Sequence, residues 1–342
     1  MTELPEPIPH WPGRLVSLGG YQVYVRSAPA EQNPGDQDPA PPHAGEPALC
    51  VHGLEGSSRN WTDLMDLLRP RLACDALDLP GFGESPPRPD GRYSISAMAQ
   101  TVIALIERNG RGPVHLLGNS LGGAVCVRVA ATRPDLIRTL TLISPALPDS
   151  RLRLDLLRFP LMSVPGVGVR LLRQVRQLPA DRRVADVIAT CFSDPRRFPP
   201  ARLAAEVAGL TRRDALDYAA AAMVGSVRAL TAETLRAGGR PAWREAARIT
   251  APTLVIYGHD DRLVDARMAG RAAHAFPNAR IVVMPDTGHV AHMEHPRLVA
   301  AEIGVLLAAA NPSAQAGPPG PAGRMPSAEA GRAREFPLAP AG

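Results

Sequence analysis

The sequence predicts an α/β fold, a mostly parallel sheet covered by helices on both faces. Three observations carry this. Apolar runs of strand length stopped by glycine recur along the chain, as in "ALCVHG" (48–53), "PVHLLG" (113–118) and "APTLVIYG" (251–258). Segments with helical apolar spacing stand between them, such as "ISAMAQTVIALIER" (95–108) and "LGGAVCVRVAAT" (121–132). At 342 residues, 45% of them hydrophobic and 21% charged, the chain has ample apolar side chain for a large core.

Taken in order, residues 1–13 are an N-terminal extension. "RLVSLGGYQVYVR" (14–26) is a hairpin turned by Gly19-Gly20. Six prolines with Gly, Asn and Asp make 28–47 a loop. Strand 48–53 follows, then "LACDALDLPGFG" (72–83), an apolar stretch ended by a Pro-Gly turn. Ser94 caps the helix over 95–108. The strand at 113–118 leads into the helix at 121–132, and the strand "IRTLTLIS" (137–144) closes the first part of the core, 14–145. Residues 146–250 lose the strand rhythm and read as helical, so a helical cap is expected after the sixth strand, over 146–240. The alternation resumes in 241–310 with strands 251–258 and 279–286 and helices 264–276 and 295–310. The tail, 311–342, has 20 of 32 positions as Ala, Gly or Pro, a composition expected to stay disordered.

Composition also excludes classes of function. All 38 basic residues are arginine, scattered along the chain, and aromatics are 4%, so neither a basic block nor a stacking platform marks a nucleic-acid binder. Cys50, Cys74, Cys126 and Cys191 lie far apart with no C-x-x-C pair, and no His/acid cluster has ligand spacing, so neither metal nor cofactor is expected. Acids and prolines occupy "MTELPEPIPHWPGR", where a secretory signal needs basic and then apolar residues. No apolar run is long enough for a transmembrane segment. The expectation is a cytoplasmic protein acting on a small molecule; oligomeric state is not legible.

The chemistry concentrates around "LLGNSLGGAV" (116–125). Gly118-Asn119-Ser120-Leu121-Gly122 fits G-x-S-x-G between a strand and a helix, the setting of a nucleophile elbow. There the serine takes a strained backbone conformation, and flanking glycines let strand and helix approach. The helix starting at Leu121 aims free N–H groups at the same place, which favours an oxyanion. A serine hydroxyl needs a base, and the base needs an orienting acid. "YGHDDRLVD" (257–265) offers Asp260 and Asp261 after one strand. "PDTGHVAHMEHP" (285–296) offers His289 after the next, with His292 and His295 expected at the surface or at the start of the last helix.

With "HGLEGSS" (52–58), "DLPGFGES" (78–85), "GNSLGG" (118–123), "GHDDRLV" (258–264) and "GHVAHMEHP" (288–296), residues 12–310 resemble the α/β-hydrolase superfamily. The resemblance implies Ser120 as nucleophile, His289 as general base and then acid, and Asp261 rather than Asp260 as triad acid. It also implies an oxyanion hole from the backbone N–H groups of Leu54 and Leu121. "DLPGFGES" lacks the Gly-Lys-Ser/Thr ending of a phosphate loop and is expected to be a tight turn.

A serine at 120, not an aspartate, points to acyl transfer rather than epoxide or haloalkane hydrolysis. The resemblance implies first a carboxylesterase-like serine hydrolase of small or apolar esters. "GNSLGG" and "FSDPRRF" (192–198) are also similar to the hydrolases that cleave carbon–carbon bonds in ring-fission (meta-cleavage) products. Those carry tryptophans where this chain has Val290 and Met293, and a cap cation for which Arg202, Arg212 and Arg213 are the candidates. A non-catalytic ligand-binding homologue is a third class. Cap leucines, including Leu152, Leu154, Leu156, Leu157, Leu171 and Leu172, suggest an apolar acyl pocket or simply the cap's own packing.

Overall fold

Gly19 and Gly20, at φ 71° and 112°, reverse the chain between β1 (Gly13–Ser17) and β2 (Gln22–Ser27), which pair antiparallel. The computed structural model describes residues 7–29, 45–149, 158–164 and 166–310. Six further strands complete one sheet: β3 (Glu46–Val51), β4 (Leu72–Leu77), β5 (Val114–Asn119), β6 (Ile137–Ile143), β7 (Thr253–Gly258) and β8 (Ala279–Met284). Their order across the sheet is β1-β2-β4-β3-β5-β6-β7-β8, and every pairing from β4 to β8 is parallel. The β3–β5 pair is where the winding reverses, the crevice in which open α/β sheets bind ligands.

Central strands are apolar on both sides because both faces are covered. Along β3, Leu49 and Val51 join one core while Ala48 and Cys50 join the other, as a two-residue period requires. The first core takes α2 (Ile95–Asn109) and α3 (Leu121–Thr132). The second takes α1 (Thr62–Leu68) and, from the end of the described chain, the helix Pro296–Ala310 through Val299, Ile303, Leu306 and Leu307. The Ser94 hydroxyl caps α2 by accepting from Ala97 N–H, and Gly110 ends that helix at φ 62°.

Between β6 and β7 the chain is helical: α4 (Arg158–Ser163), α5 (Val167–Val175), α6 (Ala180–Cys191), α7 (Pro200–Asp214), α8 (Ala219–Leu235) and α9 (Arg240–Ala246). The insertion follows the sixth strand, as expected. Beyond β7 come α10 (Met268–Ala275), the one-turn α11 (Ala291–Glu294) and α12 (Pro296–Ala310). The helix expected over 264–276 starts only at Met268, because Asp261 and Asp265 draw the preceding N–H groups into turns. Residues 30–44 of the expected loop, the tail 311–342 and Leu152, Leu154, Leu156 and Leu157 lie outside the described residues. Among the described residues no helix is long and apolar enough to cross a membrane.

Candidate active site

Ser120 sits between β5 and α3 at φ 53°, ψ −117°. For a residue with a Cβ this backbone costs about 1–3 kcal/mol, so the surroundings must impose it. Ser120 N–H donates to Ile143 O, and Ser120 O accepts from Ala124 N–H and Ala146 N–H, which clamps the peptide on both sides. The glycines around it are demanded by contact. A Cβ on Gly118 would lie 2.6 Å from Cys126 Sγ, and one on Gly122 would lie 2.2 Å from Val51 O. Sequence logic about a close strand–helix approach is thereby met.

Asp261 and His289, expected as acid and base, come together. His289 Nδ1 lies 2.9 Å from Asp261 Oδ2, and both side chains are buried. A carboxylate only accepts, so Nδ1 carries a proton in this contact, and in the neutral ring the lone pair is on Nε2. Asp261 Oδ1 accepts from Leu263 and Val264 N–H at 2.8 and 2.9 Å. Burial alone would raise this carboxyl, but the adjacent imidazole and the backbone donors outweigh it and hold the pKa below the usual value. Asp260, the alternative acid, is instead exposed and binds His259 Nδ1 and the Ser193 hydroxyl.

Asn119 joins the elbow to the base loop. Its Nδ2 donates to Ile143 O and to His289 O, both at 3.1 Å. Among the described residues the Ser120 hydroxyl makes no hydrogen bond, so Ser120 is linked to the acid–base pair through its neighbour's amide rather than by a direct bond.

Leu54 belongs to the loop after β3. A Cβ on the preceding Gly53 would fall 3.1 Å from Ser120 Cβ, which puts this loop directly against the serine. The loop is fixed by His52, whose Nε2 accepts Leu79 N–H at 2.9 Å while Nδ1 donates to Gly53 O at 2.7 Å. Burial lowers the pKa of this imidazole, consistent with the neutral tautomer that those partners demand. Among the described residues neither Leu54 N–H nor Leu121 N–H has a partner. On the far side, Arg213 donates to Glu55 O at 3.0 Å and pairs with its carboxylate, where Glu55 adopts φ 60°. "DLPGFGES" is a turn closed on the buried Asp78, which accepts from Ser58 and Glu84 N–H.

Glu294, absent from the sequence reading, is the most heavily used acceptor here. Its carboxylate, fully buried, accepts Gly288 N–H at 2.7 Å, Asp194 N–H at 3.1 Å, Ser193 N–H at 3.2 Å and Arg197 Nη1 at 2.7 Å. His289 N–H in turn donates to Cys191 O at 2.7 Å. The strap 189–198, from the end of α6 to the segment before α7, is thus bound to the loop carrying the base. Its signal in the sequence is only an acid placed two residues before Pro296.

His292 departs from expectation. It is buried, stacked on Trp61 at 4.3 Å between ring centroids, with its Nδ1 unpartnered among the described residues. Burial, with His289 nearby, pushes its pKa down to about 3. A surface position was expected from its place near the last helix; the indole of Trp61 supplies an apolar face that sequence distance hides. His295, at the α11–α12 junction, contacts Arg197 and Asp286 O. Arg202 is committed to Asp63 through two 2.6 Å bonds and to Ile8 O, and Arg212 pairs with Glu84, so neither is a spare cation for substrate.

A small cleft lies between Glu55 and the insertion. Phe82, Leu172 and Met223 line it together with Arg176, Arg183 and Arg213.

Residues 47–296 match the family model for the alpha/beta hydrolase fold. The chain belongs to the α/β-hydrolase family. It is 31% identical over 260 residues to "Putative carbamate hydrolase RutD" of Pseudomonas savastanoi pv. phaseolicola, covering 74% of this chain and 91% of that one. It is 24% identical over 257 residues to a 2-hydroxy-6-oxononadienedioate/2-hydroxy-6-oxononatrienedioate hydrolase of Cupriavidus pinatubonensis, covering 74% and 83%. The solved haloalkane dehalogenase DbeA of Bradyrhizobium elkani superposes with a TM-score of 0.70 at 22% identity over 88% of this chain and 99% of that one, a likeness of fold. The chain spans 60% of the length of another relative, the dihydrolipoyllysine-residue acetyltransferase component of an acetoin cleaving system in Cupriavidus necator, at 28% identity.

Proposed function

We propose that this α/β-hydrolase is a serine hydrolase of small or apolar carboxylic esters, acting through an acyl-enzyme. The supporting observation is the buried Asp261–His289 pair, tied by Asn119 to a strained Ser120. In the first step His289 Nε2 takes the hydroxyl proton as Ser120 Oγ attacks the carbonyl carbon. The oxyanion is received by the N–H groups of Leu54 and Leu121, a pair in which one donor is worth about 3 kcal/mol. His289 then gives the proton to the departing alkoxide, leaving the acyl group on Ser120. Water, deprotonated by His289, attacks that ester, and the proton returns to Ser120 as the acid leaves. Asp261 holds the imidazole tautomer and balances its transient charge.

The insertion acts as a cap in this reading, and its Leu172 and Met223, with Phe82 of the 78–85 turn, line the cleft beside Glu55 toward which the acyl group extends. Carbon–carbon hydrolysis of ring-fission products is the second reading, favoured by the 24% identical relative. The test is hydrolysis of a p-nitrophenyl ester series, a carbamate and a ring-fission dienol by wild type and Ser120→Ala, with fluorophosphonate labelling of both. Ester turnover and labelling that both vanish in Ser120→Ala are expected. Faster turnover of the dienol would favour the second reading, and tight ligand binding without turnover or labelling would make the chain a binding protein.

A further inference from the structure

Helix α5 and the turn that ends it, "VGVRLLRQVRQL" (167–178), place Val167, Leu171, Leu172, Val175 and Leu178 on one arc and Arg170, Arg173, Gln174 and Gln177 on the other. An amphipathic helix normally buries the whole apolar arc, and here only part of it is covered. Leu172 packs into a cluster with Met223, Val224 and Val227, while Val175 and Leu178 stand 47% and 42% exposed. Leu161 and Val164, from the adjoining α4 segment, are 49% and 43% exposed, and Val169 is 39% exposed. Five of the twelve large exposed aliphatics among the described residues therefore fall within residues 161–178, a concentration that scattered surface leucines do not produce.

The charge on the helix itself has one sign. Helix α5 carries Arg170 and Arg173 and no aspartate or glutamate; Arg176, just past its end, pairs with Asp214, and Asp155 and Asp181 flank the segment in the sequence. Arg170 and Arg173 are exposed and, among the described residues, form no ion pair. A second copy docked on this face about a two-fold axis would set its own Arg170 and Arg173 against those of the first. An apolar arc bordered by unneutralised guanidinium groups is instead the pattern of a helix that lies at a negatively charged lipid–water boundary.

We propose that the α4–α5 hairpin seats this protein reversibly on the surface of a membrane containing anionic phospholipid. Val175, Leu178, Leu161 and Val164 enter the headgroup–acyl boundary, while Arg170 and Arg173 meet lipid phosphates. The inner side of α5 carries Leu172 and Arg176 to the cleft beside the Leu54–Glu55 loop, so docking sets that cleft next to the lipid phase. Only this last consequence, access for an amphiphilic ester, rests on the proposed function.

Co-sedimentation of the full chain with unilamellar vesicles tests the docking without using catalysis. Vesicles of phosphatidylcholine with phosphatidylglycerol should hold wild type and Ser120→Ala alike, at least about tenfold better than phosphatidylcholine alone, and release them as salt rises. Val175→Asp/Leu178→Asp should lower binding to the anionic vesicles by at least about tenfold, and Arg170→Gln/Arg173→Gln should abolish the preference for them. Both double variants should retain wild-type circular dichroism and wild-type hydrolysis of a soluble short-chain ester, which separates docking from folding and from the active-site reading. Wild type that stays in the supernatant, or aspartate variants that sediment as wild type does, would overturn the proposal. So would a dimer in sedimentation equilibrium that Val175→Asp/Leu178→Asp dissolves, which would give the face to a second copy.

Discussion

Two parts of the helical insertion are held in opposite ways. The strap 189–198 is bound by polar contacts to the loops that carry Asp261 and His289. Glu294 gathers three backbone N–H groups and Arg197, Cys191 O takes His289 N–H, and Arg262 reaches Ala189 O. The α4–α5 hairpin, by contrast, rests on α8 mainly through a small apolar cluster, with a bond from Arg228 to Ser163 O and an ion pair between Arg176 and Asp214, and Leu161, Val164, Val169, Val175 and Leu178 stay exposed. Buried charge-assisted bonds fix geometry to a few tenths of an ångström, whereas a small apolar contact fixes little beyond proximity. The lesson is mechanical: one inserted segment fixes the His289 loop through polar contacts at its middle and meets the core through fewer apolar ones nearer its start.

The comparison breaks hardest where the strap meets the chemistry. Asp261→Asn leaves the imidazole without its orienting anion and is expected to lower kcat by on the order of 10³–10⁴, measured with a soluble ester. A fall of less than about tenfold would detach Asp261 from the role assigned to it. Glu294→Gln should come next. The amide turns an NH₂ toward two of the four donors, so the base loop loosens. We expect kcat to fall about 10–100-fold with KM changed less than about threefold, fluorophosphonate labelling slowing in parallel, and a loss of roughly 3 kcal/mol in stability. Equal loss of kcat and rise of KM would make the strap a substrate contact rather than a support for His289.

A pH experiment sharpens the same contrast at smaller amplitude. His292 is neutral in the folded protein down to about pH 3 but takes a proton near pH 6.5 once unfolded. Its contribution to stability is therefore complete above about pH 6.5 and declines as pH falls from there toward 3. Between pH 6.5 and 5 the loss amounts to at most about 2 kcal/mol. His292→Phe, which keeps the stack on Trp61, should flatten that slope in denaturant titrations at the two pH values. Smallest of all, Arg170→Gln/Arg173→Gln on α5 should leave stability within about 0.5 kcal/mol of wild type in the same titrations.

Much of this architecture is legible in the sequence because it is local. Glycines at 19 and 20 announce the hairpin, and the run into Ser120 announces a strand–turn–helix. The positions of Asp261 and His289 follow from the strands that end just before each. What the sequence hides is contact between distant segments. Glu294 meets Ser193, Asp194 and Arg197 across about a hundred residues, and no pattern near position 294 foretells donors that arrive from the insertion. His292 misleads for the same reason, since its burial depends on Trp61, far upstream. Arg202 reads as a spare cation until Asp63 is seen to hold it.

The side-chain amide of Asn119 bridges two carbonyl oxygens, one at the end of β6 and one on His289 itself. A planar group of fixed width thereby serves as a spacer between the elbow and the base loop. An aspartate at this position would face both carbonyls with oxygen alone and push them apart. The separation of the two loops is consequently set by the residue beside Ser120, through a side chain that reaches neither the Ser120 hydroxyl nor the imidazole ring.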